Sequence, residues 1–164
     1  MKIQIFTVGG TIDKIYFDAK SEYEVGEPNI DWVLGQLNVG FQYAITSLMR
    51  KDSLDMDDED RRQVLAAVQA CPLERILITH GTDTMADTGR VLSAVTDKTI
   101  VLTGAMQPAK FVGSDAMFNI GFALGALQAL PHGVYIAMNG RIFDPRRVVK
   151  NREAGRFEDA GEGR

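Results

Sequence analysis

Short hydrophobic runs alternate along the chain with longer amphipathic stretches. Runs rich in β-branched and aromatic residues predict strands over 2–8, 42–48, 74–79, 99–103 and 133–138. Stretches with apolar residues at helical spacing predict helices at about 30–38, 57–70, 85–95 and 115–130. Strands and helices that alternate in this way predict a three-layer α/β/α fold with a mostly parallel, Rossmann-like sheet.

The loops at the carboxyl ends of the strands are the places where such a sheet binds ligands. In this sequence they are 9–28, 49–56, 80–84, 104–114 and 139–150. The first is longer than usual for an α/β connection, and loops of that length are commonly functional lids. Residues beyond about 152 are charged and contain glycine, so we expect a flexible tail there.

The first loop begins with the sequence "VGGTID", in which two glycines precede Thr11. Gly9 and Gly10 allow a tight turn and a close backbone approach to a ligand. Thr11 would then be presented at the end of the first strand, either as a nucleophile or substrate-binding residue, or simply as part of a turn.

The third loop follows a buried strand in "ILITHGTDTM". Thr82 and Asp83 stand at the strand's carboxyl end, where hydroxyl and carboxylate groups can bind a ligand. His80 has no second His, Cys or carboxylate at metal-ligand spacing, so we interpret it as a structural histidine.

Acidic and hydroxyl residues also stand at the predicted helix starts, where they can cap free N–H groups. The later aspartates of "SLDMDD", Asp57 among them, suit the helix at 57–70. Asp83 or Thr84 can cap the helix at 85–95, and Ser114 or Asp115 the helix at 115–130.

Three further residues in these loops carry candidate chemistry. Ser53 can hydrogen-bond a small polar ligand, and Ala105 is small enough to let backbone groups face one. Lys150 ends the run "RVVK", so its stem can enter the interior, where burial near a carboxylate allows a lysine to act as a base. Four other cations in and next to these loops are expected to be solvated: Lys110, Arg146, Arg147 and Arg152.

Composition narrows the function class. The 164 residues suit one domain, and the net charge of −4 with a pI near 5.2 argues against a nucleic-acid partner. A lone cysteine, Cys71, excludes an internal disulfide and fits a reducing, cytoplasmic compartment. The apolar run at the N-terminus breaks at Gly9, too early for a membrane span.

Four motifs together resemble the bacterial-type L-asparaginase/glutaminase family. They are "VGGTID", "ILITHGTDTM", "GAMQP" and "DPRRVVK", in the family's order and approximate spacing. The resemblance runs from residue 1 to about 152 and corresponds to the family's N-terminal domain only. From this resemblance we expect the family's second, smaller domain to be absent and 153–164 to be the charged tail.

The resemblance implies an amidohydrolase that hydrolyses a small amide such as L-asparagine to the acid and ammonia, with no metal or organic cofactor. Thr11 would be the nucleophile, and Tyr23 would sit on the mobile lid and orient it. Thr82, Asp83 and Lys150 would form a second hydrogen-bonded set, in which Lys150 acts on Thr82.

The resemblance also implies how a substrate is held. Asp83 would bind the α-amino group and Ser53 the α-carboxylate, with Thr82 beside them and the Ala105 carbonyl facing the leaving amide. It further implies a homo-oligomer that takes a small-molecule substrate and no membrane partner.

Two positions depart from the family's usual pattern. Val8 precedes the glycine pair where a threonine is usual, and Leu54 follows Ser53 where a glutamine is usual, which removes one hydrogen bond to a charged group. The departures keep an alternative open: a catalytically impaired module that binds a small amino acid or an altered amide. A nucleotide-binding domain is a third possibility, but neither GxGxxG nor GK[ST] is present.

Overall fold

The computed structural model describes residues 1–161 and forms a central six-stranded sheet in the order β4-β1-β5-β6-β7-β8. All neighbours in this sheet are parallel except β7 and β8. The strands are β1 (Lys2–Gly9), β2 (Lys14–Phe17), β3 (Glu22–Val25), β4 (Gln42–Lys51), β5 (Arg75–Thr79), β6 (Thr99–Thr103), β7 (Gly133–Met138), β8 (Arg141–Phe143), β9 (Val148–Asn151) and β10 (Arg156–Asp159). The helices are α1 (Asn29–Gly35), α2 (Asp58–Ala70), α3 (Met85–Leu92) and α4 (Ala116–Ala129).

Two apolar layers cover the two faces of the sheet. Alternate residues of β1 illustrate this, because Phe6 and Val8 pack with α2 and α3, whereas Ile3 and Ile5 pack with α1 and α4. Side chains alternate faces along a strand, so a strand that is apolar at successive positions is buried on both sides. The predicted three-layer α/β/α fold with a mostly parallel sheet is confirmed.

The first long loop contains more structure than the sequence pattern predicts. Strands β2 and β3 form an antiparallel hairpin within 9–28, with Tyr16 opposite Tyr23. Its residues are mostly exposed, so no buried apolar face marks them in the sequence. The lid segment is therefore a hairpin rather than an irregular loop.

Helices α1 and α3 end about three residues earlier than predicted, at Gly35 and Leu92. At the end of α3 the Ser93 N–H is shared between the carbonyls of Gly89 and Arg90, a tightening common at helix ends. The Ser93 hydroxyl also bonds the Gly89 carbonyl, at 3.0 Å. These bonds close the helix before β6.

The predicted helix caps behave differently from one another. Asp57 caps α2 through a capping box with Asp60, as expected for an acidic helix start. Thr84 and Asp115 occupy the cap positions of α3 and α4, but neither side chain makes a capping hydrogen bond. The Ser114 hydroxyl accepts from the Ala116 N–H instead, at 3.1 Å. The hydroxyl of Thr84 and the carboxylate of Asp115 are bonded to neighbouring loops.

The segment expected to be a flexible tail is partly ordered. Strand β10 pairs antiparallel with β9 and places Phe157, 2% exposed, against Phe143. Burying this ring offsets the entropy of ordering the hairpin. The last part of the predicted tail, 162–164, lies outside the described residues.

Candidate functional site

Two glycines bring the first and third loops into direct contact. Gly10 has φ 94° and ψ −174°, a conformation essentially restricted to glycine. A Cβ atom added at Gly10 would lie 2.4 Å from the Cα of Gly81. Thr11 and Thr82 each follow one of these glycines, so they lie on loops that pack against each other. Thr11 is half-buried and opens a single 3₁₀ turn that ends at Asp13.

Lys150 on β9 reaches the third loop and contacts two of its side chains. Its Nζ donates to the Thr82 hydroxyl at 2.7 Å and to Asp83 Oδ1 at 3.0 Å. Thr82 is buried, and the side chains of Lys150 and Asp83 are 18% and 22% exposed. The stem of the lysine thus enters the interior, as the sequence predicts. An amine at this distance from a hydroxyl has the geometry for proton transfer.

Arg152 was expected to be solvated, but the structure pairs it with Asp83. Its Nη2 lies 3.0 Å from the same Oδ1 atom that Lys150 contacts, while the arginine side chain remains 69% exposed. Asp83 is therefore bracketed by two cations.

Ser53 is 1% exposed and packs under the third loop. Its carbonyl accepts the Thr84 hydroxyl at 2.8 Å, and its Oγ accepts the Thr84 N–H at 3.4 Å. A Cβ atom on Gly81 would lie 2.6 Å from the Ser53 side chain, so the second and third loops also pack directly. The structure therefore brings Ser53 beside Thr82 and Asp83.

Asp52 precedes this serine and is tied to the base of the hairpin. Its Oδ2 lies 2.8 Å from the Lys14 ammonium. Partial burial acts to raise the pKa of Asp52, but the hydrogen bonds from Lys14 and the Leu54 amide and the positive charges of Lys14 and Lys150 outweigh it, so the pKa is lowered. Asp52 thus carries a negative charge at neutral pH.

The loop around Ala105 is held by the side chains of Asp115, at the N-cap of α4, and of Asn119 within α4. Asp115 accepts the Met106 N–H at 3.0 and 2.9 Å and the Gln107 N–H at 3.1 Å. Asn119 donates to the Gly104 carbonyl at 3.0 Å. The loop also lies against the third one, because a Cβ atom on Gly104 would be 3.5 Å from the Thr82 methyl group. Ala105, 1% exposed, directly follows the glycine that contacts Thr82.

Tyr23 lies on the hairpin and is half exposed. Its ring makes edge contacts with Tyr16 and with Phe111 of the fourth loop, at centroid distances of 5.3 and 5.8 Å. The Ala109 N–H also bonds the Ile12 carbonyl at 3.0 Å. The fourth loop thereby supports both the lid that carries Tyr23 and the turn that begins at Thr11.

Asp13 anchors the base of the hairpin from inside the protein. Its backbone carbonyl accepts the Gly26 N–H at 2.8 Å, and its buried carboxylate accepts the Asn29 N–H at 2.7 Å. Burial raises the pKa of Asp13 to about 6, against the lowering effect of the Asn29 hydrogen bond.

His80 lies beside the site but is enclosed. Its Nδ1 is 2.7 Å from the Gly81 carbonyl and its Nε2 is 2.7 Å from the Thr88 hydroxyl. Because a carbonyl only accepts, Nδ1 carries the proton and Nε2 accepts from Thr88. Burial lowers the pKa of His80 to about 4, so the ring is neutral at pH 7. Both nitrogens are occupied, which supports a structural role.

Sequence reasoning did not single out Asp13 or Asp52, and it interpreted Asp115 only as a helix cap and Arg152 only as a solvated cation. The contacts that bring these four side chains to the site are made with other segments, so their neighbours along the chain do not reveal them. Within residues 1–161, no three His, Cys, Asp or Glu side chains come together as a metal site. None of the helices in the same range has the length and apolar character that a membrane crossing demands.

Comparisons with known proteins show the family to which this chain belongs. The asparaginase family profile, described as "Asparaginase, N-terminal", matches residues 2–158. A "Probable L-asparaginase periplasmic" of Haemophilus influenzae is 31% identical over 159 residues, which cover 90% of this chain and 46% of that protein. L-asparaginase 2 of Escherichia coli is 30% identical over 159 residues, with the same two coverages of 90% and 46%.

Solved structures agree as well. The thermostable L-asparaginase from Thermococcus kodakarensis superposes with a TM-score of 0.85 at 28% identity, over 97% of this chain and 51% of that one. A probable cytoplasmic L-asparaginase from Campylobacter jejuni gives 0.78 at 28% identity, over 96% and 51%. The chain thus spans about half the length of these relatives. Because the family profile matches nearly all of the sequence, the chain belongs to the asparaginase family, in the region described as its N-terminal part.

Proposed function

We propose that this protein is an asparaginase-like amidohydrolase acting on a small amide such as L-asparagine. The main observation in support is that Lys150 contacts Thr82 and Asp83, two residues of a loop that packs against the loop bearing Thr11. Relatives and structural neighbours described as L-asparaginases support the same activity. In the reaction, water adds to the amide carbonyl carbon, the C–N bond breaks, and ammonia and the carboxylate leave.

Thr11 is the proposed nucleophile, since it is half-buried at the end of β1. Its hydroxyl oxygen attacks the amide carbonyl, and the proton it loses passes to a base and then to the departing ammonia. Water next attacks the resulting ester and restores the threonine. Tyr23 on the hairpin is proposed to orient Thr11, and backbone N–H groups at the glycine-rich strand ends can stabilise the oxyanion.

Thr82, Asp83 and Lys150 form the proposed proton-handling set. Thr82 takes the proton that Thr11 loses while its own proton passes across the 2.7 Å contact to the neutral form of Lys150, which returns it to the departing ammonia; Asp83 holds the lysine in place. In the same proposal Asp83 and Ser53 bind the charged groups of the substrate, and the Ala105 carbonyl faces the leaving amide.

The test is ammonia release from L-asparagine, L-glutamine and short amides, by the wild type beside Thr11→Ala, Thr82→Ala and Lys150→Met. Each substitution should reduce kcat by 100-fold or more, roughly the size of a general-base contribution. Lys110→Met serves as the control. It makes the same substitution at an exposed lysine whose Nζ lies 6.0 Å from the centre of the Trp32 ring. Turnover that persists in Thr11→Ala would rule out this nucleophile.

A binding module without turnover is the second candidate, and the packing of Ser53 favours it. Its hydroxyl is buried and already accepts the Thr84 N–H, and Leu54 beside it is 63% exposed. A calorimetric titration with L-aspartate separates the candidates. Binding without ammonia release from any amide would support the module and overturn the enzyme.

We further propose that the protein acts in the cytoplasm as a homo-oligomer. Relatives include one described as cytoplasmic and one described as periplasmic, and the lone cysteine fits the former. Helix α4 exposes Met117 and Phe118, 48% and 61%, which suits a subunit contact. A monomer in light scattering would overturn the homo-oligomer. Recovery of the tagged protein outside the cytoplasm of its host cell would overturn the cytoplasmic location.

A further inference from the structure

The charge around Asp83 differs from what a site for a zwitterionic amide requires. Lys150 and Arg152 both contact Oδ1 of this carboxylate, each at 3.0 Å. Two positive charges thus face one negative charge. The Asp52 carboxylate nearby is itself paired with Lys14 at 2.8 Å, so it offsets little of this excess.

Arg152 is held near the site by the turn that carries it. It follows Asn151, the last residue of β9, whose Oδ1 accepts the Ala154 N–H at 3.0 Å and whose Nδ2 donates to Glu158 at 3.2 Å. Phe157, buried in the core, fixes the other side of this hairpin. The backbone of Arg152 is therefore anchored, and its guanidinium reaches Asp83 from the solvent side, where it is 69% exposed.

A substrate ammonium group at Asp83 would have to displace this guanidinium or sit beside it. Either event costs free energy, because like charges repel and the existing ion pair is lost. A substrate with no ammonium group at this position avoids both costs.

We propose that Arg152 is a specificity-determining residue that selects amides lacking an α-ammonium group, namely monoamides of simple dicarboxylic acids. This inference rests on the proposed amidohydrolase function and narrows its substrate class: Asp83 then pairs with Lys150 and Arg152 rather than with a substrate ammonium group, and L-asparagine becomes the poorer substrate. Succinamate, which is L-asparagine without the α-amino group, is the probe. Its hydrolysis balances as for asparagine: water supplies the C–O bond, the amide C–N bond breaks, and succinate and ammonia leave.

The experiment compares kcat/KM for succinamate with kcat/KM for L-asparagine in the wild type, Arg152→Gln, Arg152→Lys and Arg146→Gln. Arg146 is the matched control, because it is 68% exposed and paired with Asp144. In Arg152→Gln the succinamate preference should fall about three- to fivefold at low ionic strength, the range for an exposed ion pair, and less in 0.5 M salt. Arg152→Lys and Arg146→Gln should stay near the wild-type ratio.

Calorimetric Kd values for succinate and L-aspartate are measured on the same four proteins, and they do not depend on turnover. If no amide is hydrolysed but Arg152→Gln shifts the Kd ratio toward aspartate, the proposed function fails and the specificity role stands. If amides are hydrolysed but the kcat/KM and Kd ratios of Arg152→Gln stay within twofold of the wild-type ratios, the specificity role of Arg152 is overturned and the proposed function stands. An equal shift in Arg146→Gln, or no binding of either acid, also overturns it.

Discussion

Replacing Gly10 by alanine tests whether the contact between two backbones assembles the site. The added Cβ atom would lie 2.4 Å from the Cα and 2.5 Å from the N of Gly81. Both are backbone atoms, so the clash cannot be relieved by rotating a side chain. The residue would also have to hold φ 94° and ψ −174°, which costs a non-glycine residue about 1–3 kcal/mol.

The free-energy cost of the Cβ clash adds to the cost of the backbone conformation. Overpacking of a buried contact costs typically 1–3 kcal/mol, so Gly10→Ala should lower the free energy of unfolding by roughly 2–6 kcal/mol. That is a large share of the roughly 5–15 kcal/mol typical of a domain. Because relief requires the first and third loops to separate, Thr11 should move away from Thr82, and turnover should fall even where the variant stays folded.

The assay is urea unfolding of Gly10→Ala beside Gly113→Ala, followed by ammonia release at a temperature where both are folded. Gly113 also has a positive φ, 77°, but no atom lies within 4 Å of its added Cβ position. It therefore reports the cost of alanine at a positive φ without the clash. Equal losses of stability in the two variants would refute the reasoning, since the Gly81 contact would then add nothing.

Three further predictions concern stability. His80 has a depressed pKa of about 4, so between pH 6.5 and 4 its ring is protonated in the unfolded state first, and the folded state loses stability as the pH falls. Asp13 has a raised pKa of about 6, so its carboxylate is protonated in the folded state first, and this residue adds stability as the pH falls. Asp13→Asn should therefore lose stability more steeply than the wild type over this range, by up to about 3 kcal/mol in urea unfolding at stepped pH; parallel curves would contradict this. Asn119→Ala should cost about 2–4 kcal/mol in the same assay, because it leaves the buried Gly104 carbonyl and Asn139 N–H without these partners; a loss below 1 kcal/mol would argue against the network. Asp57→Ala should cost about 1 kcal/mol by removing the α2 capping box, and an unchanged urea midpoint would show that the cap is dispensable.

The sequence alone was sufficient for the five parallel strands of the sheet and for the loops that carry the candidate site, whereas the antiparallel strand β8 was not predicted. Strand β6 runs over Thr99–Thr103 as predicted, and the cap of α2 falls at Asp57. Both features depend on residues that are adjacent in the sequence: a run of apolar residues for a strand buried on both faces, and an acidic residue before a helix. The motif residues Thr82, Asp83 and Lys150 do come together. Their proposed roles in catalysis stay a prediction.

The hairpin at 14–25 shows why part of the fold could not be read in this way. Its side chains are mostly exposed on both faces, so no period-two burial marks β2 and β3. Tyr23 is supported there by Phe111, about ninety positions away along the chain. A contact at that separation leaves no local pattern.

What only the tertiary structure decided is the choice of partner for each polar group. Thr84 and Asp115 stand where a helix cap belongs, yet their side chains bond Ser53 and the Met106 N–H, since those groups lie closer in the folded chain. Arg152 reads as a solvated cation in sequence, and folding places it on Asp83. The spacing of apolar residues indicates which side chains are buried, because residues that share a face of a helix or strand are set by the geometry of that element. Hydrogen-bond partners depend on which elements the sheet order sets side by side.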